Sequence, residues 1–231
     1  MKKIAIMGSG NGSNFEAIAQ HFQGKDVQIT CLSNIEDAFI LKRARKIDTI
    51  LGEGINARAL EVCHCEELCL HSDAAIQKIR IDIKAEFLPY AKNLEYFSKN
   101  KFDLVVLAGY MRIISDDVLA EMGKVINIHP SLLPAFKGSK NAIKDAFLAG
   151  VKVSGVSVHW VTSDVDGGQI IAQYPVFITN EMHYDEFEEE MHGTEHKLYP
   201  IVIEKLLEDK IFDFSDLMKS SCGNTCDGCK K

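Results

Sequence analysis

Several things are missing from this 231-residue sequence. No apolar run approaches the ~18 residues that a membrane span requires. The two N-terminal lysines lead straight into a strand-like run, with neither a signal-peptide apolar region nor a small-residue cleavage site. There is no surplus of positive charge either: 26 Lys and Arg stand against 33 Asp and Glu, a net charge of −7. These absences make a membrane protein or a secreted protein unexpected and leave a cytoplasmic one. They also argue against nucleic acid or an anionic membrane as the partner, because a negative average field repels both. Internal repeats and low-complexity linkers are lacking as well.

What is there is ordinary for a soluble globular chain, with 46% hydrophobic and 26% charged residues. The pattern predicts strands at KIAIMG, VQITCLSN, FDLVVLAG and KVINIH. Helices alternate with them, at about Ser13 to Phe22, over AFILKRARK, near Asp116–Met122 and over KNAIKDAFLAGV. The near-continuous apolar run of 102–109 suits a parallel strand covered on both faces. After residue 150 the grammar changes: VSGVSVHWVTS and QIIAQYPVFI are strand-like and separated by DVDGG, which is turn chemistry. A long helix from Tyr184 to Leu207 follows, with acidic residues in its first turns. The expected fold is α/β, a mostly parallel Rossmann-like open sheet with helices on both faces and late antiparallel strands. One domain is expected over 1–214, with an insertion at about 52–83 that lacks β-α rhythm and a polar tail over 215–231.

Three stretches carry chemistry. The first is GSGNGSN, residues 8–14, whose glycines at 8, 10 and 12 miss the dinucleotide spacing G-x-G-x-x-G; no Gly-Lys-Ser/Thr follows to make a Walker loop. Gly12, Ser13 and Asn14 stand at a helix N-terminus, where backbone N–H groups and a hydroxyl meet a phosphate. On local grounds the loop is either such a cradle or a plain strand-to-helix turn with Ser13 as N-cap. The second stretch is VINIHPSLLP, where Asn127 and His129 lie two apart on one strand and share a face. Pro130 ends that strand and sets the pair at the sheet's C-terminal edge, where α/β proteins place their sites. An amide donor beside an imidazole suits carbonyl chemistry, the one steadying an oxyanion and the other handling a proton. The third stretch, HWVTSDVDGGQII, holds Asp164 and Asp166 on a constrained loop. There a carboxylate either orients a histidine or relays a proton, or the loop is only a turn.

In order along the chain, GSGNGSN, LAGYMRI (107–113), NIHPSLLP (127–134), GVSVHWVTSDVDGG (155–168) and EHKLYP (195–200) resemble the phosphoribosylglycinamide formyltransferases of purine biosynthesis. The likeness runs from about residue 2 to 212, apart from the 52–83 segment. It implies transfer of a formyl group from 10-formyltetrahydrofolate, as co-substrate, to the amine of glycinamide ribonucleotide. The resemblance makes Asn127, His129 and Asp166 the catalytic trio. It puts the ribonucleotide phosphate on Gly12, Ser13 and Asn14, and the glycinamide end on Glu195. The folate would lie against Met111, Arg112 and Ile114 and the loop carrying Val161, Thr162 and Asp164. Partners are then ribonucleotide and folate, with a homodimer admitted as the assembly. His159, a lone strand histidine beside the site, is assigned a structural role.

The sequence departs from that family in three places. Lys84 is the nearest candidate for a basic residue assisting the phosphate, and Lys137-Gly138 replaces a commoner proline-glycine. Six of seven cysteines fall in two windows, Cys63, Cys65 and Cys69 in CHCEELC and Cys222, Cys226 and Cys229 in CGNTCDGC. Thiols so spaced suit zinc or an iron–sulfur cluster, with His64 or His71 at hand, in a structural or redox-sensing role. Two alternatives therefore stand beside the leading expectation. One is a folate-dependent formyltransferase for another amine, such as an amino sugar nucleotide, against which the GNGSN loop and Glu195 speak. The other is a metal-linked redox or regulatory module on the same fold, against which the intact Asn127, His129 and Asp166 speak.

Overall fold

The computed structural model describes residues 1–52, 82–215 and 217. Seven strands form one sheet in the order β3-β2-β1-β4-β5-β6-β7. They are β1 (Lys2–Met7), β2 (Val27–Ser33), β3 (Asp82–Phe87), β4 (Leu104–Leu107), β5 (Val125–His129), β6 (Val153–Trp160) and β7 (Ile170–Phe177). The helices are α1 (Ser13–His21), α2 (Phe39–Gly52), α3 (Asn93–Lys99), α4 (Asp116–Met122), α5 (Ala142–Leu148) and α6 (Tyr184–Leu207), and a 3-10 turn at Tyr90–Lys92 precedes α3. The first five strands in sheet order run parallel, and β6 and β7 are antiparallel additions. Both the parallel sheet and the late antiparallel pair match the sequence-based expectation.

Strand residues alternate between two cores. Ile4, Ile6, Leu104 and Val106 pack with α1, α2, α5 and α6 on one face. Ala5, Met7, Val105 and Leu107 pack with α3 and α4 on the other. With both faces covered, β1 and β4 can be apolar throughout their inner turns, as parallel strands are. The smaller core depends on Phe97, fully buried between the edges of Tyr96 and Phe102. Truncating it to alanine should cost on the order of 3–5 kcal/mol.

Two elements escape the periodicity. β3 begins at Asp82, in the last residues of the expected insertion, and reads DIKAEF. It is an edge strand on which Ile83 is buried while Lys84 and Phe87 are exposed; its six residues alternate polar and apolar, but the run is short and falls where the expected insertion ends. Helix α3 has seven residues and buries only Asn93 and Phe97, which is too short for a helical stripe.

The topology fixes where a site can form. From β1 the chain builds outward through β2 and β3, then crosses back to β4 on the opposite side of β1. The loops after β1 and β4 diverge at that reversal and leave a crevice at the strands' C-terminal ends. Register lines up Met7, Leu107, Asn127 and His159 across four neighbouring strands. Tyr199 of α6, fully buried, donates its hydroxyl proton to Leu107 O at 2.8 Å and also lies 3.3 Å from Ile126 O, tying the long helix to the strand ends beneath the crevice.

Candidate active site

A cleft of about 650 Å³ occupies the crevice, within the usual size range of small-molecule sites. Its walls are the loop after β1, the loop after β4, the end of β5, the loop between β6 and β7, and one turn of α6.

At one end stands the β1–α1 loop. Gly12 caps α1 with φ +80°, and a Cβ there would lie 2.7 Å from Ile40 atoms, so only glycine fits. The sequence left Ser13 as a candidate N-cap; the structure gives that position to Gly12, and no side chain caps the helix. The first bond of the helix runs from Glu16 N–H to Gly12 O. The N–H groups of Ser13, Asn14 and Phe15 therefore precede the ladder and are available to an anion. Asn14 donates through Nδ2 to Glu195 Oε2 at 3.3 Å, while its own Oδ1 is buried without a partner among the described residues. That orphan is an acceptor, so it suits a substrate N–H or O–H rather than a phosphate oxygen.

Glu195 is 5% exposed on α6. His192, one turn earlier, meets its Oε2 through Nδ1 at 2.9 Å. The hydrogen bond to Glu195 raises the pKa of His192 above the ordinary histidine value, outweighing the opposing effect of burial.

At the other end, four side chains converge. Asn127 and His159 face each other in register on β5 and β6. His159 is 2% exposed; its Nδ1 lies 2.9 Å from Trp160 O, and its Nε2 lies 3.3 Å from Asn127 Nδ2 and 3.5 Å from Asp166 Oδ1. Asn127 Nδ2 also lies 3.4 Å from Asp166 Oδ1. Each ring nitrogen of His129 faces an oxygen, Nε2 to Phe136 O at 3.1 Å and Nδ1 to Asp166 Oδ2 at 3.4 Å. The turn that carries Asp166 puts it at φ +51°, a left-handed conformation that aspartate tolerates better than most residues. Gly138 N–H donates to its Oδ2 at 3.0 Å. The contact with His159 holds the Asp166 carboxyl below the usual carboxylate range against the opposing effect of burial, with the His129 ring and the Gly138 N–H adding to it. The carboxylate is thus ionised across the neutral range, held by four partners.

The sequence-derived residues divide cleanly. Gly12, Ser13, Asn14, Glu195, Met111, Arg112, Ile114, Asn127, His129, Val161, Thr162, Asp164 and Asp166 all line the one cleft. Lys84 does not: it lies on edge strand β3, outside the cleft lining, with its ammonium on Glu86. His192, on α6 more than a hundred residues downstream of Lys84, does line the cleft. His159, assigned a structural role from sequence, contacts both Asn127 and Asp166. Its signal was present as a register pairing, but strand pairing is invisible without the fold. Lys137, in place of proline, pairs with Asp164 at 2.6 Å and so ties the two loops that bracket Asp166.

A second groove, of about 510 Å³, runs between α1 and α2 beside Phe39, Lys42 and Lys46. Its Arg43 is engaged by Asn11 and Glu16. Cys63, Cys65, Cys69, Cys222, Cys226 and Cys229 lie outside the described residues. Cys31 is buried in β2, where burial pushes its thiol up to about 12 and leaves it unreactive. Among the described residues, no helix is long and apolar enough to cross a membrane.

Comparison with known proteins agrees with this geometry. The formyl transferase family model matches residues 2–203. A phosphoribosylglycinamide formyltransferase of Bacillus subtilis is 38% identical over 208 residues, covering 90% of this chain and 95% of its own length. A trifunctional purine biosynthetic protein of Bos taurus is 35% identical over 204 residues, 87% of this chain but 18% of its own length. Among solved structures, the phosphoribosylglycinamide formyltransferase of Streptococcus pneumoniae superposes with TM-score 0.67 at 35% identity, over 90% of this chain and 99% of that one. That of Bacillus halodurans gives TM-score 0.70 at 29% identity, over 92% and 100%. With the family model spanning most of its length and such relatives covered nearly end to end, this chain belongs to the formyl transferase family, among the phosphoribosylglycinamide formyltransferases.

Proposed function

We propose that the cleft transfers the formyl group of 10-formyltetrahydrofolate to the amine of glycinamide ribonucleotide, a step of purine biosynthesis. What carries the proposal is that the Asn127–His129–His159–Asp166 group and the open helix N-terminus at Gly12–Asn14 share one cleft. A substrate with a phosphate at one end and a nucleophile at the other spans such a site.

The phosphate would sit on the N–H groups opening α1, with the raised pKa of His192 adding positive charge nearby. The glycinamide end would meet Glu195 and the orphan Oδ1 of Asn14. The neutral amine attacks the formyl carbon, forming the new C–N bond while the carbonyl electrons move to oxygen. Asn127 steadies that oxyanion with an N–H. Its present contacts of 3.3 and 3.4 Å are long, so one hydrogen is readily redirected to the incoming oxygen. Positive charge develops on the attacking nitrogen at the same moment, and the ionised Asp166 lies where it would offset that charge. The amine's proton then passes by way of Asp166 to the folate nitrogen as its bond to the formyl carbon breaks. His129 holds Asp166, since both of its ring nitrogens already face oxygens. The folate would lie along Met111, Arg112 and Ile114 and the loop of Val161, Thr162 and Asp164.

The test is a formyl-transfer assay with glycinamide ribonucleotide against an amino sugar nucleotide. Turnover with the ribonucleotide alone is the expected result, and preference for the other amine would overturn the assignment. A cytoplasmic location and a homodimer belong to the same proposal and are tested by fractionation and light scattering. The spacing of the six clustered thiols carries a separate proposal, a zinc ion or an iron–sulfur cluster in a structural or redox-sensing role. Metal analysis and visible absorption of anaerobically purified protein should find one; metal-free, colourless and stable protein would end that idea.

A further inference from the structure

The wall of the cleft at Gly109–Ile114 is anchored by Tyr110 and Ile114, which pack on the smaller core, while the stretch between them is held by hydrogen bonds. Met111 and Ile113 are 68% and 71% exposed, so little apolar contact fixes the chain between those anchors. On one side Ser9 grips it twice: Ser9 N–H donates to Gly109 O at 3.0 Å, and Met111 N–H donates to Ser9 Oγ at 3.1 Å. The same hydroxyl donates to Asn34 Oδ1 at 2.7 Å, so its proton and a lone pair are both committed and its rotamer is set. On the other side Tyr90 O–H donates to Ile113 O at 2.8 Å, and the Arg112 guanidinium lies over the Tyr90 ring at 5.9 Å. Asn93 Nδ2 adds a contact to the Tyr110 hydroxyl at 3.2 Å. Ser9 is itself one residue before Gly10, whose carbonyl accepts from Ile40 N–H at 3.1 Å, and three before Gly12.

We propose that Ser9 is a positioning residue: its hydroxyl joins the loop that receives the phosphate to the segment that receives the folate, and sets the backbone of that segment for binding. Tyr90 braces the same segment from the opposite side. Neither side chain lines the cleft, so both act through Met111, Arg112 and Ile113. This rests on assigning Gly109–Ile114 to the folate side.

Steady-state kinetics on Ser9→Ala tests it. Losing one net hydrogen bond predicts a KM for 10-formyltetrahydrofolate raised about three- to tenfold, because a typical bond is worth about that factor. The kcat stays within about twofold, since uniform binding is what is removed, and KM for the ribonucleotide changes by less than the folate KM. Ser9→Thr, which keeps the hydroxyl, should restore the folate KM. Tyr90→Phe should give the same folate-selective signature and serves if Ser9→Ala fails to fold. Arg112→Ala separates the inference from its premise. If it raises the folate KM while both Ser9→Ala and Tyr90→Phe leave it unchanged, the positioning role is overturned. If Arg112→Ala also leaves it unchanged, the folate assignment itself fails. A lower melting temperature with both KM values raised equally marks a merely structural serine and overturns the proposal.

Discussion

Asn127, His129 and His159 stand on neighbouring strands, the histidines buried and Asn127 in register with His159, whereas Gly12, Ser13 and Asn14 stand on a loop that opens a helix. The strand end of the cleft is preorganised by side-chain contacts, from the strands, from Gly138 and from the turn that carries Asp166. The loop end offers mostly backbone N–H groups, with Asn14 and His192 both leaning on a single carboxylate, Glu195. In the proposed reaction charge develops and disappears at the strand end, so its groups must not move during turnover. A phosphate keeps its charge throughout, and a helix N-terminus with a glycine turn is sufficient to hold it. Substitutions at the two ends should therefore fail in different parameters.

The largest effect is expected from Asp166→Asn. It keeps the shape but removes the charge that offsets the developing ammonium, and kcat should fall about 10²- to 10³-fold, in the range of acid–base contributions. The folded carboxyl has a depressed pKa, so its contribution to stability is complete above the unfolded value near ~3.9 and fades as pH falls through the folded one. The melting temperature of wild type should consequently drop more steeply with acid than that of Asp166→Asn. Parallel acid profiles would remove Asp166 from the buried network.

A Gly12→Ala change addresses the other end. The Cβ meets Ile40 and the residue is held at φ +80°, a combination that should cost about 1–3 kcal/mol of stability. Where the protein still folds, KM for the ribonucleotide should rise about tenfold or more while kcat changes less, since phosphate binding is common to ground and transition states. A kcat defect with normal KM would erase the distinction between the two ends.

Smallest is His192→Gln. The folded His192 pKa is raised, so its contact with Glu195 stabilises fully below ~6.5 and the contribution is lost as pH rises through the folded value. The side chain is about half exposed, so the effect is screened: wild type should lose about 1–2 °C more than the variant between pH 6 and pH 8. Equal losses would mean that the contact does not form.

Much of this comparison could be read before folding, and the unread parts share a cause. Asn127 and His129 announce their common face by spacing two apart before a proline, and Asp166 by its turn. Strand FDLVVLAG was legible because both its faces are covered. Edge strand β3 was not, because its alternation lasts only six residues and sits at the end of a segment without β-α rhythm. Lys84, expected as a basic partner of the phosphate, lies on that edge strand and outside the cleft lining. His159 and Ser9 matter through partners on other strands and loops, Asn127 across a ladder and Met111 across the switch point. No local pattern encodes such pairings.

Asn127→Ala is the most direct test of the claim that the strand end carries the transition state. The fold should persist with an unchanged circular dichroism spectrum, because Asn127 is only partly buried. The kcat for formyl transfer to glycinamide ribonucleotide should fall about 10²- to 10³-fold, the usual loss for an oxyanion donor, with KM for either substrate within about threefold. A folded Asn127→Ala enzyme that turns over at the wild-type rate would contradict the claim outright.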